Sequence, residues 1–157
     1  MELEEVVQRV KDALSGLDAE VQGKVPNIVE VKVSRENIVE AAKKLREMGF
    51  DHVKSVTAID HPNERFEVVY HASSYSDLEL ARFFLVLRAD LPYDDPKTPS
   101  LLEVWPSVLY LEHEQYDLMG INFEGHPRKE RLLLPEDYEG IPPLRKEFKI
   151  KTEGINA

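Results

Sequence analysis

Leu3, Val6, Val7, Val10, Leu14 and Leu17 recur at helical spacing, which predicts an amphipathic helix over residues 2 to 15 that stops near Gly16. The period then shortens to two: Val29, Val31 and Val33 alternate with Glu30 and Lys32, as in a strand with one wet face. Ser34 is placed to cap a second helix over 35 to 48, where Ile38, Ala41, Ala42, Leu45 and Met48 line one side and Gly49 supplies the stop. Val53 to Ile59 and Arg65 to Ala72 read as two strands. The connection His61-Pro62-Asn63-Glu64 is short enough to favour an antiparallel hairpin. Ala81 to Ala89 reads as a third strand through Phe83, Leu85 and Leu87, with a helix as the rival reading. Helix, strand, helix and then three strands predict an α+β fold, a mostly antiparallel sheet with helices on one face.

Past Asp90 the pattern breaks. Residues 91 to 100, LPYDDPKTPS, hold three prolines and two adjacent acids and read as a loop. Ser107 or Ser100 opens a further helix on which Val108, Leu111, Gln115 and Leu118 share a face, closed by Gly120. From residue 124 onward four prolines and three glycines interrupt any long helix or central strand, while Leu132, Leu133, Leu134, Tyr138, Ile141, Leu144, Phe148 and Ile150 are spread among them. The chain therefore divides into an α+β domain, 1 to 123, and an extended C-terminal arm, 124 to 157. Charge divides with it: seven basic and seven acidic residues in the arm, against 13 and 23 before it. An irregular run of this length is usually functional or ordered by something else, so the apolar anchors and arginines of the arm are expected to dock on another protein.

The chain has 157 residues, enough for one ordinary domain with a real core. Its net charge of −10 argues against nucleic acid or an anionic membrane surface as a direct ligand. It contains no cysteine, so disulfides, thiol catalysis and cysteine-ligated iron–sulfur clusters are excluded from the chain itself. No run approaches the roughly 20 apolar residues that span a bilayer, and the acidic N-terminus is unlike a targeting peptide, so no membrane insertion is expected.

Candidate chemistry concentrates in Glu112 to Phe148. Glu112, Glu114 and Asp117 fall in the second half of the predicted third helix, where the macrodipole disfavours anions by about 0.3 to 1 kcal/mol each. Cations must offset that cost, either Arg131, Arg145 or Lys146 folding back or cations of a partner. Glu112-His113-Glu114 with His126 invites a metal-site reading, but adjacent helical positions point about 100° apart and no i, i+4 histidine pair is present. His126, between Gly125 and Pro127, reads better as a hydrogen-bonding turn residue. Trp105 is read as a core aromatic in preference to an interface anchor.

Taken in order, Glu112, Glu114 and Asp117, then Gly120-Ile121 and Phe123, Gly125-His126-Pro127, Arg131 to Pro135 with Asp137, and Pro143-Leu144-Arg145-Lys146 resemble the signature of the 30 kDa subunit family of respiratory complex I. In NADH:quinone oxidoreductase this is the C subunit, and the family recurs in membrane-bound NiFe hydrogenases. With Arg65 to His71 and Val104-Trp105-Pro106 the resemblance covers roughly residues 50 to 148. It departs at His113, where the family usually has Arg, at Tyr138, where it usually has Trp, and at Pro142-Pro143, which replaces a single proline. The resemblance implies a cofactor-free member of a hetero-oligomeric complex, on the cytoplasmic face of the cell membrane. Its expected partners are a hydrogenase-like large subunit, the homologue of the complex I 49 kDa subunit, and iron–sulfur subunits. Those partners would hold the clusters and, in a hydrogenase, the NiFe centre. The partner-binding positions expected are Glu112, Glu114, Asp117, His126, Arg131, Leu133, Pro135, Tyr138, Leu144, Arg145 and Lys146. A membrane-bound hydrogenase is the first expectation and an NADH or coenzyme F(420)H(2) dehydrogenase the second. The rival from another class is a free-standing metal-dependent hydrolase using His113, Glu114 and His126.

Overall fold

Five strands frame the protein in the computed structural model, which describes residues 1–150. In chain order the elements are α1 (Leu3–Ala13), β1 (Glu20–Lys24), β2 (Ile28–Lys32), α2 (Ile38–Met48), β3 (His52–His61), β4 (Arg65–Ser73), a 3-10 turn (Leu80–Arg82), β5 (Phe84–Pro92), β6 (Lys97–Pro99), α3 (Val108–Met119) and β7 (Asn122–Glu124). The main sheet runs β1-β2-β5-β4-β3, with β2 and β5 parallel and every other pair antiparallel. Strands β6 and β7 form a small parallel pair beside it. The expected α+β fold with a mostly antiparallel sheet is the fold observed.

Register puts one apolar face together. Val31, Leu87, Tyr70 and Val56 stand in one row across the sheet, all buried. Val6 and Val10 of α1 and Ile38, Ala41, Ala42 and Leu45 of α2 close over this side as part of one continuous core. Trp105 lies fully inside it and donates its indole N–H to the Phe50 carbonyl at 2.9 Å, so the core reading of this residue holds.

Two expectations need correcting, and one strand carries no expectation at all. β1, EVQGK, carries too few apolar residues and a central glycine to read as a strand; it forms because it pairs with β2 along its whole length and lets α1 approach Gly23 closely. The second helix starts at Ile38, because residues 34 to 37 close a turn in which Asn37 N–H donates to the Ser34 carbonyl and the serine side chain does not cap. The third apolar run begins two residues after a 3-10 turn and extends to Pro92, which displaces both the strand start and the expected loop. Gly49 and Gly120 end their helices as the sequence implies.

Candidate functional site

Helix α3 is the seat of the site, and its buried face is not the apolar one. Val108, Glu112, Gln115 and Met119 point inward, with His113 and Asp117 buried beside them, whereas Leu111 and Leu118 are only half-buried. Burying two carboxylates is costly unless each meets donors, and each does.

Glu112 is wholly buried. One of its oxygens, Oε2, accepts from the Tyr70 hydroxyl at 2.7 Å and from Leu101 N–H at 3.0 Å; the other, Oε1, accepts from the Ser100 hydroxyl at 2.5 Å. This carboxylate ties strand β4, the loop after β6 and helix α3 to one point. Burial pushes its pKa above the ordinary value despite the donors, and burial with the neighbouring Glu112 charge pushes the Tyr70 phenol well above its own. Gln115 adds a seam by accepting Ala58 N–H from edge strand β3 at 3.0 Å.

Asp117 does different work. Its Oδ2 accepts two successive backbone N–H groups of the arm, Leu133 at 2.7 Å and Leu134 at 3.0 Å, and its Oδ1 faces the Arg131 guanidinium at 3.3 Å. Burial alone would raise its pKa; the Leu134 and Leu133 N–H groups and the Arg131 charge outweigh it, and the carboxyl is held below its ordinary value. Arg131 in turn donates to the Tyr138 carbonyl at 2.9 Å and lies over the Tyr138 ring.

A second anchor lies at the end of α3. Leu144 N–H donates to the Leu118 carbonyl and Arg145 Nε to the Met119 carbonyl at 2.9 Å, so the arm satisfies carbonyls that a helix end leaves open and sets a cation at the negative end of its dipole. Arg145 also covers the Phe66 ring at 4.8 Å. Gly120, at φ +74, is required twice: a Cβ there would meet the Arg145 guanidinium at 2.8 Å and the Pro142 ring at 3.0 Å. Lys146 contributes its backbone N–H, donated to the buried Asp60 carboxylate at 2.8 Å, while its side chain is exposed.

The two histidines stitch the same region. His126 accepts Arg128 N–H at Nδ1 and donates from Nε2 to the Leu109 carbonyl at 2.8 Å, which fixes its tautomer and gives it the turn role expected. His113 donates from Nε2 to the Glu130 carbonyl at 2.7 Å. Their rings stand 6.0 Å apart, and no group of three His, Asp or Glu able to hold a metal ion occurs among the described residues.

Of the residues singled out from sequence, Glu112, Asp117, His126, Arg131 and Arg145 thus direct their polar atoms inside the chain. Glu114 is half-buried and makes no ion pair among the described residues; Leu133, Pro135 and Leu144 are exposed, and Tyr138 is half-buried. Sequence reasoning missed Asp60, Tyr70 and Ser100. Asp60 and Tyr70 had a signal, since each falls on the inward register of its strand, where a carboxyl or a phenol needs a partner.

One pH response follows from Asp117. Because its folded pKa lies below the unfolded value of about 3.9, its hold on the arm is complete above that value and is lost as pH falls through the lower one. NMR shifts of the Leu133 and Leu134 amide protons are expected to stay native down to about pH 4 and to move only below it. A midpoint at or above the ordinary Asp range would contradict the arrangement.

A mixed sheet closed on one face by helices, with a proline-rich arm pinned to it by buried carboxylates, defines the class: an α+β domain carrying an attached C-terminal arm. Comparison with known proteins makes this specific. Residues 31–154 match the family model of the respiratory-chain NADH dehydrogenase 30 Kd subunit, and the chain belongs to that family. The C subunit of the NADH-quinone oxidoreductase of Moorella thermoacetica is 34% identical over 154 residues, which is 97% of this chain and 99% of the relative. The C subunit of the F(420)H(2) dehydrogenase of Methanosarcina mazei is 35% identical over 125 residues, 78% of this chain and 77% of its own. The solved trypsin-resistant fragment (1-134) of Nqo5 superposes with a TM-score of 0.66 at 30% identity, covering 82% of this chain and 99% of that one.

Proposed function

We propose that this chain is a non-redox structural subunit of the peripheral, cytoplasmic arm of a complex I-related membrane-bound oxidoreductase. It docks on the hydrogenase-like large subunit and holds the iron–sulfur electron-transfer subunits at fixed spacing. The observation that carries this is the outward face of the arm. With its polar groups fixed against α3, the arm presents Leu133 at 64% exposure, Ile141 at 45% and Leu144 at 53%, apolar side chains left uncovered by the described residues.

This reading divides the family positions into two kinds. Asp117, His126, Arg131 and Arg145 shape the arm, Glu112 fixes the helix on which the arm is anchored, and Glu114, Leu133, Pro135, Tyr138, Leu144 and Lys146 meet the partner. Among candidate complexes, a membrane-bound NiFe hydrogenase is the first expectation from sequence. The relatives named as NADH-quinone oxidoreductase and F(420)H(2) dehydrogenase subunits support a dehydrogenase. The absence of cysteine leaves iron–sulfur clusters, and any NiFe centre, to the partners.

The test is purification of the tagged native protein from mildly solubilised membranes, with subunit identification and metal analysis. Recovery with a large subunit and iron–sulfur proteins is expected, and nickel in the preparation would make the complex a hydrogenase. Leu133→Asp combined with Leu144→Asp is expected to reduce recovery of the large subunit at least tenfold, because a charge driven into an apolar contact costs well over 1.4 kcal/mol. Recovery of the wild-type chain alone, carrying stoichiometric zinc or iron, would instead favour the hydrolase.

A further inference from the structure

The end of the sheet away from Asp60 carries a second set of exposed apolar side chains. Tyr75 is 66% exposed, Leu78 86% and Phe84 41%. They gather where β3 and β5 begin and β4 ends, and β3 spans ten residues from His52 to His61, next to Asp60 where the arm is anchored. At about 3.3 Å per residue the two ends lie roughly 30 Å apart. A single partner surface of ordinary size would have to wrap the sheet to touch both.

The set is a built platform. Tyr75 stacks on the His52 ring at 4.4 Å, and the Lys54 ammonium lies 5.9 Å from the Tyr75 ring centre and 5.4 Å from that of Phe84. The loop that carries Tyr75 and Leu78 is fixed from below. Asp51 accepts Tyr75 N–H at 2.9 Å and Ser76 N–H at 3.2 Å, and Asp77 accepts Glu79 N–H at 2.9 Å and Leu80 N–H at 3.3 Å. Bonds from Ser76 and Tyr75 hold the Asp51 carboxyl below its ordinary pKa.

Backbone N–H groups thus occupy the Asp51 and Asp77 carboxylates. Lys54 has no carboxylate within ion-pair distance among the described residues, in a chain where acids outnumber bases 30 to 20. A cation held between two exposed aromatic rings, with exposed Leu78 in the loop that carries one of them and Asp51 and Asp77 engaged by backbone N–H groups, is complementary to an apolar segment that carries a carboxylate.

We propose that this platform is a second docking surface, and that it takes an acidic-apolar segment of a protein subunit other than the one seated on the arm. The proposal rests on the assembly reading above and adds to it: a chain gripped at two ends of one rigid sheet sets the distance between two neighbours. A platform already ordered in the free chain avoids the entropy of forming one on binding.

Photo-crosslinking in the purified native complex tests it, with p-benzoylphenylalanine placed at position 78 in one strain and at position 133 in another, and the adducts identified by mass spectrometry. Position 78 is expected to trap an Asp- or Glu-containing peptide of one subunit and position 133 a peptide of a different one. Lys54→Glu is expected to lower retention of the neighbour trapped at 78 by roughly tenfold and to leave the neighbour trapped at 133 in place. An intersubunit adduct at 133 with none at 78 would overturn the second surface and leave the assembly reading intact. So would an adduct at 78 with lipid, with a second copy of this chain, or with the same neighbour that is trapped at 133. A chain that purifies free of other subunits would remove both.

Discussion

Replacing Glu112 with leucine is expected to destabilise the protein by about 4 kcal/mol and to lower its melting temperature by roughly 10 °C, whereas Glu112→Gln stays within about 1 kcal/mol of wild type. Leucine fits the volume but leaves Leu101 N–H, the Tyr70 hydroxyl and the Ser100 hydroxyl with no acceptor, and an orphaned buried donor costs about 1–3 kcal/mol. Glutamine keeps an acceptor for Leu101 and Tyr70 and turns its NH2 toward the Ser100 hydroxyl, which can rotate to accept. The two variants also separate by pH. Burial raises the folded pKa of Glu112, so its contribution is greatest below the unfolded value of about 4.3 and declines as pH rises through the raised one. The glutamine variant lacks that decline. Urea midpoints at two pH values measure both effects; equal tolerance of leucine and glutamine would mean that the carboxylate is not the tie point of β4, the loop after β6 and α3.

Asp117→Ala is expected to act on the arm and spare the domain. It removes acceptors for Leu133 and Leu134 N–H and the charge facing Arg131, together about 3 kcal/mol, or roughly a hundredfold in the opening equilibrium of this segment. Trypsin is expected to cut after Arg131 correspondingly faster, while the thermal transition of the sheet stays in place, because among the described residues the hydrophobic core contains no side chain from beyond residue 123. The second anchor at Leu144 to Lys146 still holds the far end, so the freed part is a loop and not a loose tail. Unchanged cleavage at Arg131 would show that the apolar contacts of the arm, and not Asp117, keep it closed.

The apolar periods of α1, β2, β3 and β4 were legible because each of these elements buries one face against a common core, and burial writes its period into the sequence. β1 was not legible, since an edge strand that satisfies its backbone by pairing needs few apolar side chains. The inward face of α3 was misread for a related reason. Apolar periodicity picks out Val108, Leu111, Gln115 and Leu118, yet the helix turns Glu112 and Asp117 to the inside, where donors from β4, the loop after β6 and the arm await them.

Among the described residues, the expectation that cations fold back on the acids of α3 is met by Arg131 alone. Arg145 serves the helix carbonyls and Lys146 offers only its backbone, choices that depend on where the proline turns of the arm bring each residue.

By itself the sequence determined the fold class and the family, because hydrophobic period and an ordered motif are one-dimensional properties. Tertiary structure alone decided which motif residues are tied inside the chain and which face outward, because that depends on donors at positions 70, 100 and 133 and an acceptor at position 60, far apart in the chain.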